Sequence, residues 1–306
     1  MRFLLILAVA ALTTSSRAES LSEKYADYGN LIVSKFATAP FPHPDRAKGH
    51  YYKTNFFSAA EHYSDSTVAL FIPKRFHPGK TIDFEVHFHG WGNHVAHALE
   101  HYRLIQQFAE SQRNAILIVP QGPYDASDTF DGKLEDTNGF ARFMTEAVNV
   151  LEAKGGLRHV KIGNIVLSGH SGGYGVISSI VVCGGMNEHI REVWLFDALY
   201  GRTEKFASWF NSDNAHRFID IYTDHGGTKE ETENLMADLK KKNVPFYFAE
   251  EPEATSADLE HNKMIFLHTT NVHDVVMQNN DTFLHFLQTS LLKPIQLQTA
   301  KAPRQQ

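Results

Sequence analysis

The chain is 306 residues long and 42% hydrophobic, enough for a sizeable core and too apolar for a disordered chain. Its formal net charge is -6, and it has neither a basic run nor an RNA-binding aromatic pattern, so nucleic acid is not an expected partner. The single cysteine, Cys183, excludes an intramolecular disulfide; it ends an apolar run with no base beside it and reads as a small buried hydrophobe.

Residues 1–18 read as a signal peptide. Arg2 is the positive start, residues 3–12 are an apolar run too short to span a bilayer stably, and Ser16-Arg17-Ala18 offers a cleavage site. The predicted mature domain runs from 19 to 306, with no other membrane-spanning candidate and no stable insertion after cleavage. Together with the cysteine usage, this predicts a bacterial protein exported to the periplasm or beyond.

Residues 19–65 are poorly patterned; Tyr51, Tyr52, Phe56 and Phe57 suggest an edge strand or a loop packed on a sheet. From residue 66 onward, strand-like and helix-like stretches alternate. Strands are expected at 66–73, 81–90 and 114–122, with a helix over 93–112. A helix over 139–155 ends at a glycine. The stretch KIGNIVLSGHSGG reads as a strand and sharp turn, and YGVISSIVV as the helix that follows. Strands at 191–197 and 217–224 flank another helix. An amphipathic helix over 229–243, a last strand over 263–270 and a last helix over 279–292 complete the pattern, and the tail from 294 is expected to fray. This alternation predicts one mostly parallel sheet covered by helices on both faces, with no linker between domains.

Gly169-His170-Ser171-Gly172-Gly173 is a G-x-S-x-G match placed between an apolar strand and a helix. A serine nucleophile in so tight a turn needs small neighbours two residues away on either side. With that strand–turn–helix setting, the chain resembles the α/β-hydrolase superfamily over about residues 66–292. It also looks like exported bacterial serine hydrolases and, distantly, carbohydrate-acyl esterases. The resemblance implies a Ser…acid…His triad in chain order, an oxyanion hole of two backbone N–H groups, and no metal or organic cofactor. Ser171 matches the nucleophile, and the N–H of Gly172 one oxyanion donor. His89-Gly90-Trp91-Gly92 stands where the second donor is expected, and Trp91 is assigned to it. His273, beyond the last strand, matches the general base, whereas His268 lies within the strand.

Two aspartates compete for the acid. Asp224 follows the strand RFIDIYT, the commoner position in the family. Asp197 follows VWLF in an apolar run, where a carboxylate needs a partner to offset desolvation. Local chemistry favours Asp197; family topology favours Asp224. The polar stretch 120–140 follows a strand end and is expected to line the cleft. His170, Gln121, Lys133 and Glu135 are candidate substrate contacts, with Asp136 beside them.

His97-Ala98-Leu99-Glu100-His101 spells H-x-x-E-H, a zinc-peptidase spacing, and His94 lies nearby. No downstream carboxylate stands out as a third ligand, so zinc hydrolysis through His97 and His101 is the lesser reading of this stretch. The favoured expectation is an exported serine ester hydrolase acting on a small-molecule or polymer-borne acyl group, on a polar carbohydrate or cell-wall substrate. The same residues also fit a serine peptidase or amidase acting on peptides, and an inactive binding module. They leave oligomeric state open.

Overall fold

A computed structural model describes residues 20–296; the predicted signal peptide lies outside them, as does the tail beyond 296. The strands are β1 (Gly29–Lys35), β2 (His50–Tyr52), β3 (Asn55–Phe57), β4 (Thr67–Pro73), β5 (Ile82–Phe88), β6 (Ala115–Pro120), β7 (Ile162–His170), β8 (Ile190–Phe196), β9 (Arg217–Thr223), β10 (Tyr247–Glu250) and β11 (Met264–Thr269). The helices are α1 (Leu21–Lys24), α2 (Ala59–His62), α3 (Val95–His101), α4 (Leu104–Glu110), α5 (Gly139–Lys154), α6 (Tyr174–Cys183), α7 (Thr203–Ser212), α8 (Lys229–Lys241), α9 (Ser256–His261) and α10 (Thr282–Gln288).

Nine strands form one sheet in the order β1-β4-β6-β5-β7-β8-β9-β11-β10. β1 and β4 are antiparallel, and the strands from β6 to β10 run parallel. Every residue of β4 but its first, and all of β5, β6 and β9, are buried; β4 and β6 accordingly read as apolar runs, whereas β5 alternates, with Asp83, Glu85 and His87 buried between its apolar residues. Adjacent residues go to opposite layers. Leu167 and Ile118 pack with α5 and α6 on one face; Val166 and Leu117 pack with α3, α4 and α10 on the other. Phe140, Phe143, Met144, Ala147 and Leu151 form the buried stripe of α5, at helical spacing.

Four expectations need correction. Tyr51, Tyr52, Phe56 and Phe57, expected on an edge strand or a loop packed on the sheet, lie on a separate β2–β3 hairpin, and the edge strand of this region is β1. The strand β10 lengthens the sheet beyond the expected set. The helix over 93–112 is two helices, broken where Arg103 adopts φ 51°. The buried Gln107 amide bridges the break, donating to the Tyr102 carbonyl (2.7 Å) and accepting from Leu284 N–H (2.9 Å). The start of the tail does not fray: Pro294 bridges Arg113, and Ile295 N–H donates to Gln112 O (2.7 Å).

The parallel register brings the carboxyl ends of the strands to one edge. Phe88 pairs with Gly169, His170 with Phe196, and Thr269 with Thr223. The segments leaving β5, β7, β8, β9 and β11 therefore converge, as expected for a ligand site in an open parallel sheet.

Below that edge lies a buried polar pair of strands. Ser168 Oγ donates to Glu85 Oε1 (2.5 Å) and lies 2.8 Å from His87 Nδ1. Burial pushes the Glu85 carboxyl up to about 8 against the Ser168 hydrogen bond. The native state thus holds a proton that the unfolded chain releases near pH 4.5, so stability is lost as pH rises from there to about 8. We expect Glu85→Gln to remove that loss, about 1.4 kcal/mol per pH unit. Urea unfolding at pH 5 and pH 8 checks it: the variant's advantage should grow with pH, and parallel pH profiles would contradict the assignment.

Candidate active site

Ser171 follows the strand β7 and starts the turn into α6 with φ 52°, a left-handed conformation that a serine adopts only under constraint. Close packing explains the glycines around it. A Cβ on Gly90 would lie 2.6 Å from Ser171 Cβ, and one on Gly172 would lie 2.5 Å from the Trp91 ring. The two loops meet backbone to side chain with no room for a methyl group.

His89 pins the Gly90-Trp91 loop. Burial pushes its imidazole down to about 4, so the ring is neutral. Its Nε2 accepts from Gly122 N–H (3.0 Å) and from the Gln121 amide (3.0 Å), and its Nδ1–H donates to Gly90 O (2.9 Å). Gln121 Oε1 accepts from Val95 N–H (2.9 Å) in the first turn of α3. No hydrogen bond among the described residues takes the Trp91 N–H. The Gly172 N–H sits in the first turn of the elbow, where helical amides lack intrahelical acceptors.

Asp197 follows β8, is fully buried, and also has positive φ, 46°. His273 Nδ1–H donates to its Oδ2 (2.6 Å), the Thr223 hydroxyl to the same oxygen (2.8 Å), and Thr223 N–H and the Thr228 hydroxyl to Oδ1. Burial pushes this carboxyl up, but the bonds from His273, Thr228 and Thr223 prevail and hold it below the ordinary aspartate value. Asp224, the competing acid, is exposed and bonded to Lys229 (2.7 Å) and His268 (3.2 Å). The structure thus brings His273 to Asp197 and sets Asp224 on another histidine.

Ser171, Gly172, Trp91, Thr129, Tyr174 and Tyr200 line a cavity of about 180 Å³. Ser171 Oγ makes no hydrogen bond to His273 in this arrangement; its hydroxyl neighbours Tyr200, whose phenol burial pushes up to about 12. The Tyr200 hydroxyl donates to Gly226 O (2.6 Å), and Tyr52 packs edge-on against Trp91. Sequence reasoning missed Thr129, Tyr174 and Tyr200. Only Tyr200, three residues past Asp197, carried a local signal.

The candidate substrate contacts lie elsewhere. Gln121 is buried under the Trp91 loop. Lys133 donates to Ala37 O (2.9 Å), and Glu135 accepts from Asp131 N–H and the Ser179 hydroxyl. His170 is buried with both ring nitrogens hydrogen-bonded, to Tyr102 and to the His273 carbonyl. The 120–140 stretch is fastened to the protein's own backbone and gives only Thr129 to the cavity. His97 and His101 stack at 5.0 Å, with His97 Nδ1 on Asn93 Oδ1 and His101 Nε2 on Asp274 O; Glu100 pairs with Lys24. Among the described residues, no three His, Cys, Asp or Glu side chains converge as metal ligands.

A Cβ on Gly226 would fall 1.7 Å from Asp197 Oδ2. Since that carboxylate is fixed by its donors, Gly226→Ala should destabilise the fold by about 2–4 kcal/mol. A chemical-unfolding midpoint equal to that of the unsubstituted protein would contradict this.

No protein-family model matches the chain, and no curated protein sequence matches it significantly. Its fold does match solved structures. It is similar to a mutant of the feruloyl esterase module from Clostridium thermocellum complexed with sinapinate, at 10% identity and TM-score 0.54 over 86% of this chain and 88% of that one. It is similar to the substrate-bound fluorophosphonate-binding serine hydrolase F of Staphylococcus aureus, at 10% identity and TM-score 0.51 over 85% and 97%. A ferulic acid esterase matches at 11% identity and TM-score 0.52 over 85% and 98%. Identities this low speak to architecture alone. With the mostly parallel nine-stranded sheet and the serine-bearing turn after β7, they establish that the chain has the α/β-hydrolase fold.

Proposed function

We propose that the chain is a serine hydrolase cleaving carboxylic esters through an acyl-enzyme, with Ser171 as nucleophile, His273 as general base and Asp197 as the triad acid. One observation carries the reading. His273 Nδ1–H is held by a fully buried carboxylate at 2.6 Å, which leaves Nε2 as the basic nitrogen. Ser171 stands on a strained turn at the same sheet edge.

As Ser171 Oγ bonds to the acyl carbon, its proton passes to His273 Nε2. The carbonyl oxygen becomes an oxyanion facing the N–H groups of Trp91 and Gly172, each donor worth about 10²–10³ in rate. Collapse breaks the ester C–O bond, and His273 returns the proton to the departing alcohol. Water then repeats the sequence and releases the acid. The nucleophile–base bond absent here forms in the substrate complex, as is common in free enzymes.

The acyl group sits in the cavity, whose Trp91, Tyr174 and Tyr200 rings give flat apolar walls and whose tyrosine and Thr129 hydroxyls give polar points. The alcohol side is a polar carbohydrate or cell-wall component, free or polymer-borne. The feruloyl and ferulic acid esterases among the fold neighbours support an ester. We also propose export with removal of residues 1–18; an intact mass beginning at Glu19 in the exported protein tests it, and retention of Met1 contradicts it.

Ser171→Ala should abolish both ester turnover and covalent labelling by a fluorophosphonate, and full activity in that variant would overturn the assignment. Asp197→Asn should lower kcat about 10⁴-fold. Asp224→Asn, which changes an exposed carboxylate, should stay within about twofold on the same assay. The reverse order would move the acid to Asp224. Ester, amide and peptide substrates assayed side by side test the bond type, and faster amide turnover would point to a peptidase.

A further inference from the structure

The segment bearing His273 has little frame of its own. It is one turn of 3-10 helix, His273–Val275, beside the exposed Val272. Its imidazole is fixed by Asp197, and its backbone is fixed from the other side. His170 Nε2 lies 2.9 Å from the His273 carbonyl oxygen, and the two rings pack with centroids 4.5 Å apart.

The proton directions behind that contact are determined at both ends. The His94 N–H can only donate, so Asn93 Oδ1, 2.7 Å away, is the acceptor and Asn93 Nδ2 faces Tyr102. The His273 carbonyl can only accept, so the His170 proton sits on Nε2 and Nδ1 is an acceptor. The Tyr102 hydroxyl therefore accepts from Asn93 Nδ2 (3.2 Å) and donates to His170 Nδ1 (3.0 Å). Asn93, Tyr102 and His170 are all buried, so water cannot replace a missing member freely. Burial also pushes the His170 imidazole down to about 4, which keeps it to a single ring proton.

We propose that Asn93, Tyr102 and His170 form a one-way hydrogen-bond chain that positions the His273 backbone, and through it the His273 imidazole against Asp197. The inference rests on the reading of His273 as general base. None of the three lines the substrate cavity, so they are positioning residues. The chain starts at Asn93, two residues past Trp91, and ends on the base. It thereby ties the oxyanion loop to the triad histidine across the nucleophile elbow. A misplacement of an ångström in such machinery can cost about 10²-fold in turnover.

Tyr102→Phe keeps the packed ring and removes the one hydroxyl that orients His170. It should lower kcat about tenfold and leave KM unchanged, because the cavity walls are untouched. His170→Leu should lower kcat about 10²-fold. Since Tyr102 acts only through His170, the double variant should match His170→Leu within twofold rather than multiply the two losses. A second readout needs no turnover: the hydrogen-bonded His273 Nδ1 proton, assigned by its loss in Asp197→Asn, should exchange faster with water in Tyr102→Phe by proton NMR. Wild-type kcat and exchange in Tyr102→Phe, a rise in KM alone, or multiplicative losses would each overturn the proposal. If the unsubstituted protein lacks Ser171-dependent turnover, the catalytic reading fails separately, and the exchange rate still decides the positioning.

Discussion

A carboxylate cut off from solvent must be met by donors on every side or it forces the fold apart, and Asp197 is such a carboxylate. Four donors from three segments reach it: His273 from beyond β11, Thr223 from the end of β9, and Thr228 from the turn before α8. Each of those segments is therefore tied to the end of β8. Gly226 lies so close to Asp197 Oδ2 that no side chain fits there. What orients the histidine thus also fastens the carboxyl edge of half the sheet.

The other half is fastened by neutral groups. His89, Gln121 and Gly122 tie the Trp91 loop to the end of β6 and the start of α3. Gly90 and Gly172 then let that loop lie directly against Ser171 and the turn that bears it. Imidazoles kept neutral by burial suit this work, because each offers one donor and one acceptor in fixed directions. A charged ring at His89 or His170 would present two donors where the structure supplies an acceptor on one side only.

The elbow was readable in the sequence because its physical demand falls within five consecutive residues. That Asp197 is buried against a partner was readable for a related reason: a carboxylate set among Phe196, Ala198 and Leu199 needs a buried partner, whereas Asp224 in DHGGTKEE does not. The roles of Gln121, Lys133 and Glu135 were not readable. Residue type marks them as polar contacts but cannot say whether the contact is a ligand or the protein's own backbone. The break between α3 and α4 was hidden too, since it needs no glycine or proline; Arg103 takes the left-handed conformation and the side chain of Gln107, one turn into α4, satisfies the Tyr102 carbonyl. The cavity wall draws Trp91, Thr129 and Tyr200 from three separate loops and Tyr174 from the start of α6, a convergence that only the strand order creates.

In the proposed reaction, the strained serine, the buried carboxylate and the histidine bonded to it are parts of one acyl-transfer device. The acyl-enzyme is its defining species. Rapid quenching in acid during turnover of a slowly deacylated ester, followed by peptide mass spectrometry, detects that species directly. The account predicts an acyl mass on the peptide containing Ser171 that forms and then disappears as substrate is exhausted. Turnover with no covalent adduct, or an adduct on another residue, would contradict it.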